Sequence, residues 1–138
     1  MPVTATPIFG QTPKRAQGVV TAANTILTSS PDDVVTMFTA GANGAIVTKA
    51  SLIPRETTTA GVGYLYISTD AGANKIMVDA VAVAADTLTT TDAPTRVDFS
   101  IASETVPYRI PASAVVYFGY SIALSTAGCA CNIAYMDF

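Results

Sequence analysis

The chain has 138 residues, enough for one domain with a core that needs no staples, and a net charge of −3 with pI near 4.5. Charged residues make up 12%, well below the ~25% of ordinary soluble domains. There is no histidine, no tryptophan and no basic stripe, which removes Ser-His-Asp and Cys-His catalysis and the electrostatic footprint of nucleic-acid binding.

Met1 to Ala16 carries Pro2, Pro7 and Pro13, with Ile8-Phe9 and Lys14-Arg15 between them. Proline at this density excludes a helix and spoils a central strand, so the segment reads as an extended N-terminal arm. A solvated tail gains nothing from a phenylalanine, so the arm is expected to pack on a neighbour. Gly18 to Ala23 follows as a first strand, and Asn24 to Ser30 as a loop. Ser30-Pro31-Asp32-Asp33 has the chemistry of a helix start, but the β-branched run Val34-Val35-Thr36-Met37-Phe38-Thr39 favours a strand after at most a short helical turn.

Asn43-Gly44 sits between two alternating apolar runs, Val34–Thr39 and Ala45–Ile53, and predicts a hairpin between them. Gly41 lengthens that loop. The charge of Lys49 belongs near water, so Ile46 and Leu52 are expected to face the core. Pro54 ends the run, and Arg55 to Gly61 is a loop. Val62 to Thr69 puts Leu65 and Ile67 on one face and Tyr64 and Tyr66 on the other, where a tyrosine ring lies on apolar neighbours.

Asp70 to Asn74, with Gly72, has the chemistry of a second hairpin turn leading to Lys75–Ala84. There the strict Val/Ala alternation outweighs the helical preference of alanine. Thr87 to Pro94 is a polar loop. Thr95 to Ile101 alternates Val97, Phe99 and Ile101 with Arg96, Asp98 and Ser100, a half-buried strand. Pro107 and Pro111 bracket a short edge segment at Tyr108-Arg109-Ile110. Ala114 to Leu124 places Val116, Phe118, Tyr120, Ile122 and Leu124 on one face, with Gly119 marking a bulge or a close backbone approach. Cys129 to Met136 is the last strand.

About eight strands with no convincing helix mean an all-β sandwich, of which the jelly roll is the common eight-stranded solution. Val97, Phe99, Phe118, Ile122 and Ile133 are expected to share one core. Cys129 and Cys131 face the same side of a strand as two small buried thiols, with no disulfide and no metal, since two thiolates need further ligands. No cofactor is implied. No charged-then-apolar leader and no apolar run near ~20 residues appears, so the chain reads as soluble and unprocessed, with no membrane partner. The carboxylates fall mostly in loops, where they are solvated, so no enzyme is expected. The sparse charge and the abundance of Ala and Thr fit a protein packed against copies of itself or a partner.

The segments Pro7-Ile8-Phe9-Gly10-Gln11-Thr12-Pro13-Lys14, Thr36-Met37-Phe38-Thr39-Ala40-Gly41-Ala42-Asn43-Gly44 and Thr57-Thr58-Thr59-Ala60-Gly61 resemble a family of small tailed-phage structural proteins. The chain as a whole is similar to the tailed-phage capsid cement (decoration) proteins, closest to the jelly-roll type of the Bordetella podovirus. After Lys75 mainly the strand rhythm agrees. The resemblance implies a jelly roll that forms a homodimer on the outer capsid surface of a virion made in the bacterial host cytoplasm. Its partner there is the major capsid protein of the same phage, whose shell it stabilises. Candidate capsid or dimer contacts are Ile8, Phe9, Lys14, Arg15 and Arg55, with Arg96 as a further docking residue. The alternative is a carbohydrate-binding or receptor-binding sandwich module of a phage fibre, which would need an exposed aromatic platform.

Overall fold

The computed structural model describes residues 12–27 and 30–138. Nine strands and no helix occur among them: β1 (Thr12–Val20), β2 (Val35–Thr39), β3 (Ala45–Pro54), β4 (Gly61–Ser68), β5 (Ile76–Val83), β6 (Val97–Asp98), β7 (Tyr108–Ile110), β8 (Val115–Tyr120) and β9 (Cys129–Asp137). No described helix is therefore long and apolar enough to cross a membrane.

The strands form two antiparallel sheets. One has the order β1-β9-β3-β6, with β7 also on β3; the other has the order β2-β8-β4-β5. β7 lies against Ala45–Val47 and β6 against Ser51–Leu52, so together they fill one edge position beside β3. The chain thus occupies eight positions and changes sheet after β1, β2, β3, β5, β7 and β8. That winding is the jelly roll, and it agrees with the expected fold class.

Most of the expected strands are present, and the differences have physical reasons. The first strand begins at Thr12, not Gly18. Thr12 to Val20 pairs residue by residue with Asp137 to Cys129, so Thr12–Ala16, expected in the arm, belong to the sandwich. Pro13 is tolerated because β1 is an edge strand, where one row of backbone donors has no ladder to join. Ser30-Pro31-Asp32-Asp33 forms a bend without helical structure among its described residues.

The expected hairpin between Val34–Thr39 and Ala45–Ile53 does not form. β2 pairs with β8 and β3 with β9, in opposite sheets. Asn43-Gly44 does make a tight turn: Gly44 has φ +90° and its amide donates to the Gly41 carbonyl at 3.1 Å. A Cβ at Gly44 would stand 2.5 Å from the Ile110 carbonyl oxygen. The turn is held from outside, since Ala40 donates to the Ala114 carbonyl at 2.8 Å and Ser113 to the Gly41 carbonyl at 3.1 Å. Those bonds send the chain across the sandwich. The second predicted hairpin, β4–β5, is real.

A bulge at Thr48 corrects one face assignment. The β3–β9 register shifts between Val47 and Lys49. Ala45 and Val47 therefore point inward before it, and Ala50 and Leu52 after it, while Ile46 is half-exposed rather than in the core.

Between the sheets lies one apolar core. Leu52, Ile110, Phe118, Ile133, Cys129 and Cys131 are fully buried. Phe38 stacks on Tyr135 with ring centroids 3.9 Å apart, and Phe99 meets Phe118 edge-on at 6.4 Å. Val97 and Ile122 pack against this cluster as expected. A second cluster, Tyr64, Tyr66 and Tyr117, lies on the opposite face of β4 and β8. The connection from β1 to β2 runs beside it: Asn24 donates through its amide to the Tyr120 carbonyl at 2.7 Å and through Nδ2 to the Tyr66 hydroxyl at 2.6 Å. Gly119 permits this approach, since a Cβ there would come within 2.9 Å of a Val34 methyl.

Candidate functional site

β9 is the central strand that matters for the exposed face of the β1-β9-β3-β6 sheet. Its Cys131 and Ile133 point into the core, which turns Asn132 and Ala134 outward. The register then dictates their neighbours. Arg15 on β1 and Lys49 on β3 both stand opposite Ala134, one on each side. One row along, Gln17, Asn132, Ser51 and Asp98 line up across β1, β9, β3 and β6. The Thr48 bulge is what brings Lys49 into the outward row.

These residues surround an open depression of about 290 Å³ lined by Arg15, Lys49, Ser51, Arg96, Asn132 and Ala134. Ala134 is small, so its floor is low between two long cationic side chains. Three of the chain's seven Lys and Arg residues meet here, in a protein of net charge −3. Arg96 lies 3.4 Å from Asp98, with both side chains about half exposed. Among the described residues, no carboxylate lies within ion-pair distance of Arg15 or Lys49. The depression offers positive charge and side-chain amide and hydroxyl groups; a nucleophile with its base is not among its lining residues. Such a lining can attract anions, in water, at a strength that salt reduces.

The other expected site residues are dispersed. Lys14 forms a 2.6 Å ion pair with Asp137, whose carboxylate holds the Lys14 ammonium above its ordinary range. The second Asp137 oxygen accepts from the Gly41 amide at 3.3 Å, so Lys14 is tied into the β1–β9 edge and the turn after β2. Arg55 is exposed beyond the end of β3, with its amide donating to the Gly128 carbonyl at 2.9 Å. Ile8 and Phe9 lie outside the described residues. Lys49, Ser51 and Asn132 are the members that sequence reasoning missed. Finding them required the order β1-β9-β3, which brings residues more than eighty positions apart into one row.

Cys129 and Cys131 are buried free thiols on the inner face of β9. Burial pushes the Cys129 thiol up to about 12 and raises Cys131 as well. Such thiols are protonated and inert. The tyrosines give no exposed platform: Tyr64, Tyr66, Tyr117, Tyr120 and Tyr135 are buried, and Tyr108 is partly buried.

No protein-family model and no curated protein sequence matches the chain. Among solved structures, it is similar to a chain of the infectious bursal disease virus Gx strain, at 14% identity and a TM-score of 0.36. It is also similar to the VP2 subviral particle of infectious bursal disease virus, at 16% identity and a TM-score of 0.35. Both superpositions cover 99% of this chain and 37% of the other, so the chain spans little more than a third of those proteins. The jelly-roll assignment rests on the strand order described above.

Proposed function

We propose that this protein is a structural component of a phage virion, a cement module that binds the outside of the capsid and stabilises the shell by bridging major capsid subunits. The observation that carries this reading is the jelly roll itself, built on the chain whose Pro7–Lys14, Thr36–Gly44 and Thr57–Gly61 segments resemble the cement family. The sparse charge suits a protein that works packed on a lattice, and no enzymatic role is part of the reading. A glycan-binding fibre module is disfavoured by the burial of the tyrosines.

The module acts as a homodimer. Its open sheet edges, β1 and β2 on one side and β5 and β6 on the other, offer self-complementary pairing about a twofold axis. Ile8 and Phe9 serve as an apolar tie to the shell, and Arg15 and Arg55 as polar contacts. Because Thr12–Val20 pairs with β9, a deletion that tests the tie removes residues 2–11 and keeps every described strand.

The test is co-sedimentation of the purified protein with undecorated capsids of its phage. Saturable binding in a fixed ratio to the capsid subunit is expected, with weaker binding after the deletion. Absence of capsid binding, together with selective retention on a glycan array, would replace this reading with the fibre-module alternative. Sedimentation equilibrium of the free protein reads the dimer directly.

A further inference from the structure

We infer that the outer face of the β1-β9-β3-β6 sheet is a docking surface for an acidic protein segment, with Arg15, Lys49 and Arg96 taking its carboxylates. The argument begins with an imbalance. The chain has ten acidic residues and seven basic ones, yet among the described residues no carboxylate lies within ion-pair distance of Arg15 or Lys49, which stand on either side of one alanine. Their strands flank β9, so their backbones stand about 10 Å apart, two interstrand spacings of ~4.8 Å. Two like charges held this way gain from an incoming pair of negative charges.

The geometry selects the kind of anion. In an extended segment, side chains two residues apart project from the same face at roughly 6.5–7 Å, a spacing that long arginine and lysine side chains on the two strands flanking β9 can meet by leaning toward each other. Asn132 in the adjoining row is partly exposed and can hydrogen-bond the segment's polar groups, whereas Ser51 beside it is largely buried. A phosphate site, by contrast, is typically built from backbone N–H groups converging on one point. Here β9 is paired on both sides, so its amides are engaged in the ladders and the face offers side chains alone. A nucleic-acid strand would need a basic track with aromatic stacking. The lining holds no aromatic residue. The carboxylate of Asp98, 3.4 Å from Arg96, competes with the incoming acid.

This inference does not depend on the capsid reading, and its test needs no capsid. The full-length protein, isotopically labelled, is titrated at low salt with a blocked hexaglutamate peptide, and in parallel with inorganic phosphate and with a short oligothymidylate. Saturable shifts confined to Gln17, Lys49, Ser51, Asn132 and Ala134 are expected with hexaglutamate, weakening as salt rises. Arg15→Glu combined with Lys49→Glu should raise Kd by at least about tenfold, since like charges then face the peptide. Asp98→Asn should lower Kd by up to about fivefold, the range of an exposed ion pair. Both positions of the double variant are exposed, and its own spectrum reports whether it is folded; if it is not, Arg15→Gln and Lys49→Gln are read singly. Shifts scattered over Lys14, Lys75 and Arg109, an unchanged Kd in the charge variants, or tighter binding of phosphate or oligothymidylate at the same residues would each overturn the proposal.

Discussion

Glu56 grips Ser125 through both carboxylate oxygens, Oε1 accepting from the Ser125 amide at 2.7 Å and Oε2 from its hydroxyl at 2.9 Å. The same Oε2 accepts from the amides of Ala127 at 3.1 Å and Gly128 at 3.0 Å. One side chain just past β3 thus organises the whole turn between β8 and β9. The turn needs it, because Gly128 has φ +71° and the Ala127 and Gly128 amides come before the β9 ladder begins at Cys129.

These bonds, led by the Ser125 and Gly128 amides, hold the Glu56 carboxyl below its ordinary range. Glu56→Gln keeps the shape but replaces one acceptor oxygen with an N–H group that faces other donors. The expected result is a lower melting temperature at neutral pH and faster amide exchange at Ala127 and Gly128, with exchange in β4 unchanged. Equal exchange at the turn in both proteins would show that Glu56 is not its anchor.

Asp70 does the same for the β4–β5 turn. It accepts from the Asn74 amide at 2.8 Å, from the Ser68 hydroxyl at 2.7 Å and from Asn74 Nδ2 at 2.6 Å. With the Asn74 amide as the largest cause, its pKa falls from 3.8 to about 2. A carboxyl depressed in the folded state contributes stability above its unfolded pKa, and that contribution is lost as pH falls through the folded value. Stability should therefore decline between pH ~4 and ~2 in the parent protein. Asp70→Asn should start lower at pH 6 and show a shallower decline over that window, measured by urea titrations at each pH.

The contrast between the two hairpin signals shows what local chemistry can and cannot carry. Both turns are where the sequence puts them, because Gly44 and Gly72 mark positive φ whatever the strands do next. Ala71 also takes positive φ, which nothing in its residue type announces. Whether the flanking strands then pair depends on partners far along the chain. β4 and β5 find each other, whereas β2 is claimed by β8 and β3 by β9. The Thr48 bulge is equally silent: Val47-Thr48-Lys49 reads as uninterrupted alternation, yet the face changes there. For the same reason the row that joins Arg15 to Ala134 and Lys49 is not legible in the sequence.

Phe118 is fully buried and meets Phe99 at an interplanar angle of 85°. Phe118→Ala removes that contact and leaves a cavity between the sheets, which should cost about 3–5 kcal/mol in urea denaturation. A loss under ~1 kcal/mol would mean that the core collapses onto the gap.

The two thiols give a probe of opening. With the Cys129 pKa near 12, about one thiol in ten thousand is ionised at pH 8, and both side chains are fully buried. A thiol reagent should leave the native protein unmodified and label both cysteines in urea. The native labelling rate should track unfolding free energy, so Phe118→Ala should accelerate it in proportion to its loss of stability. Rapid labelling of the stable parent would place the thiols at the surface instead.

Gly63 and Leu52 face each other across the sandwich so closely that a Cβ on Gly63 would overlap the Leu52 Cδ2 methyl. The Phe99 and Phe118 rings stand 3.4 and 3.6 Å from the same point, so Leu52 has little room to retreat. Gly63→Ala should cost about 1–3 kcal/mol through overpacking, outweighing the smaller gain from a stiffer strand backbone. Leu52→Ala alone should cost about 2–5 kcal/mol by leaving a cavity. In the double variant the new methyl fills part of that cavity. The combined loss should then fall short of the sum by about 0.5–3 kcal/mol, the range for side chains in contact. Additive losses in this cycle would mean that the two positions do not touch, and with that the β3–β4 packing described here would be wrong.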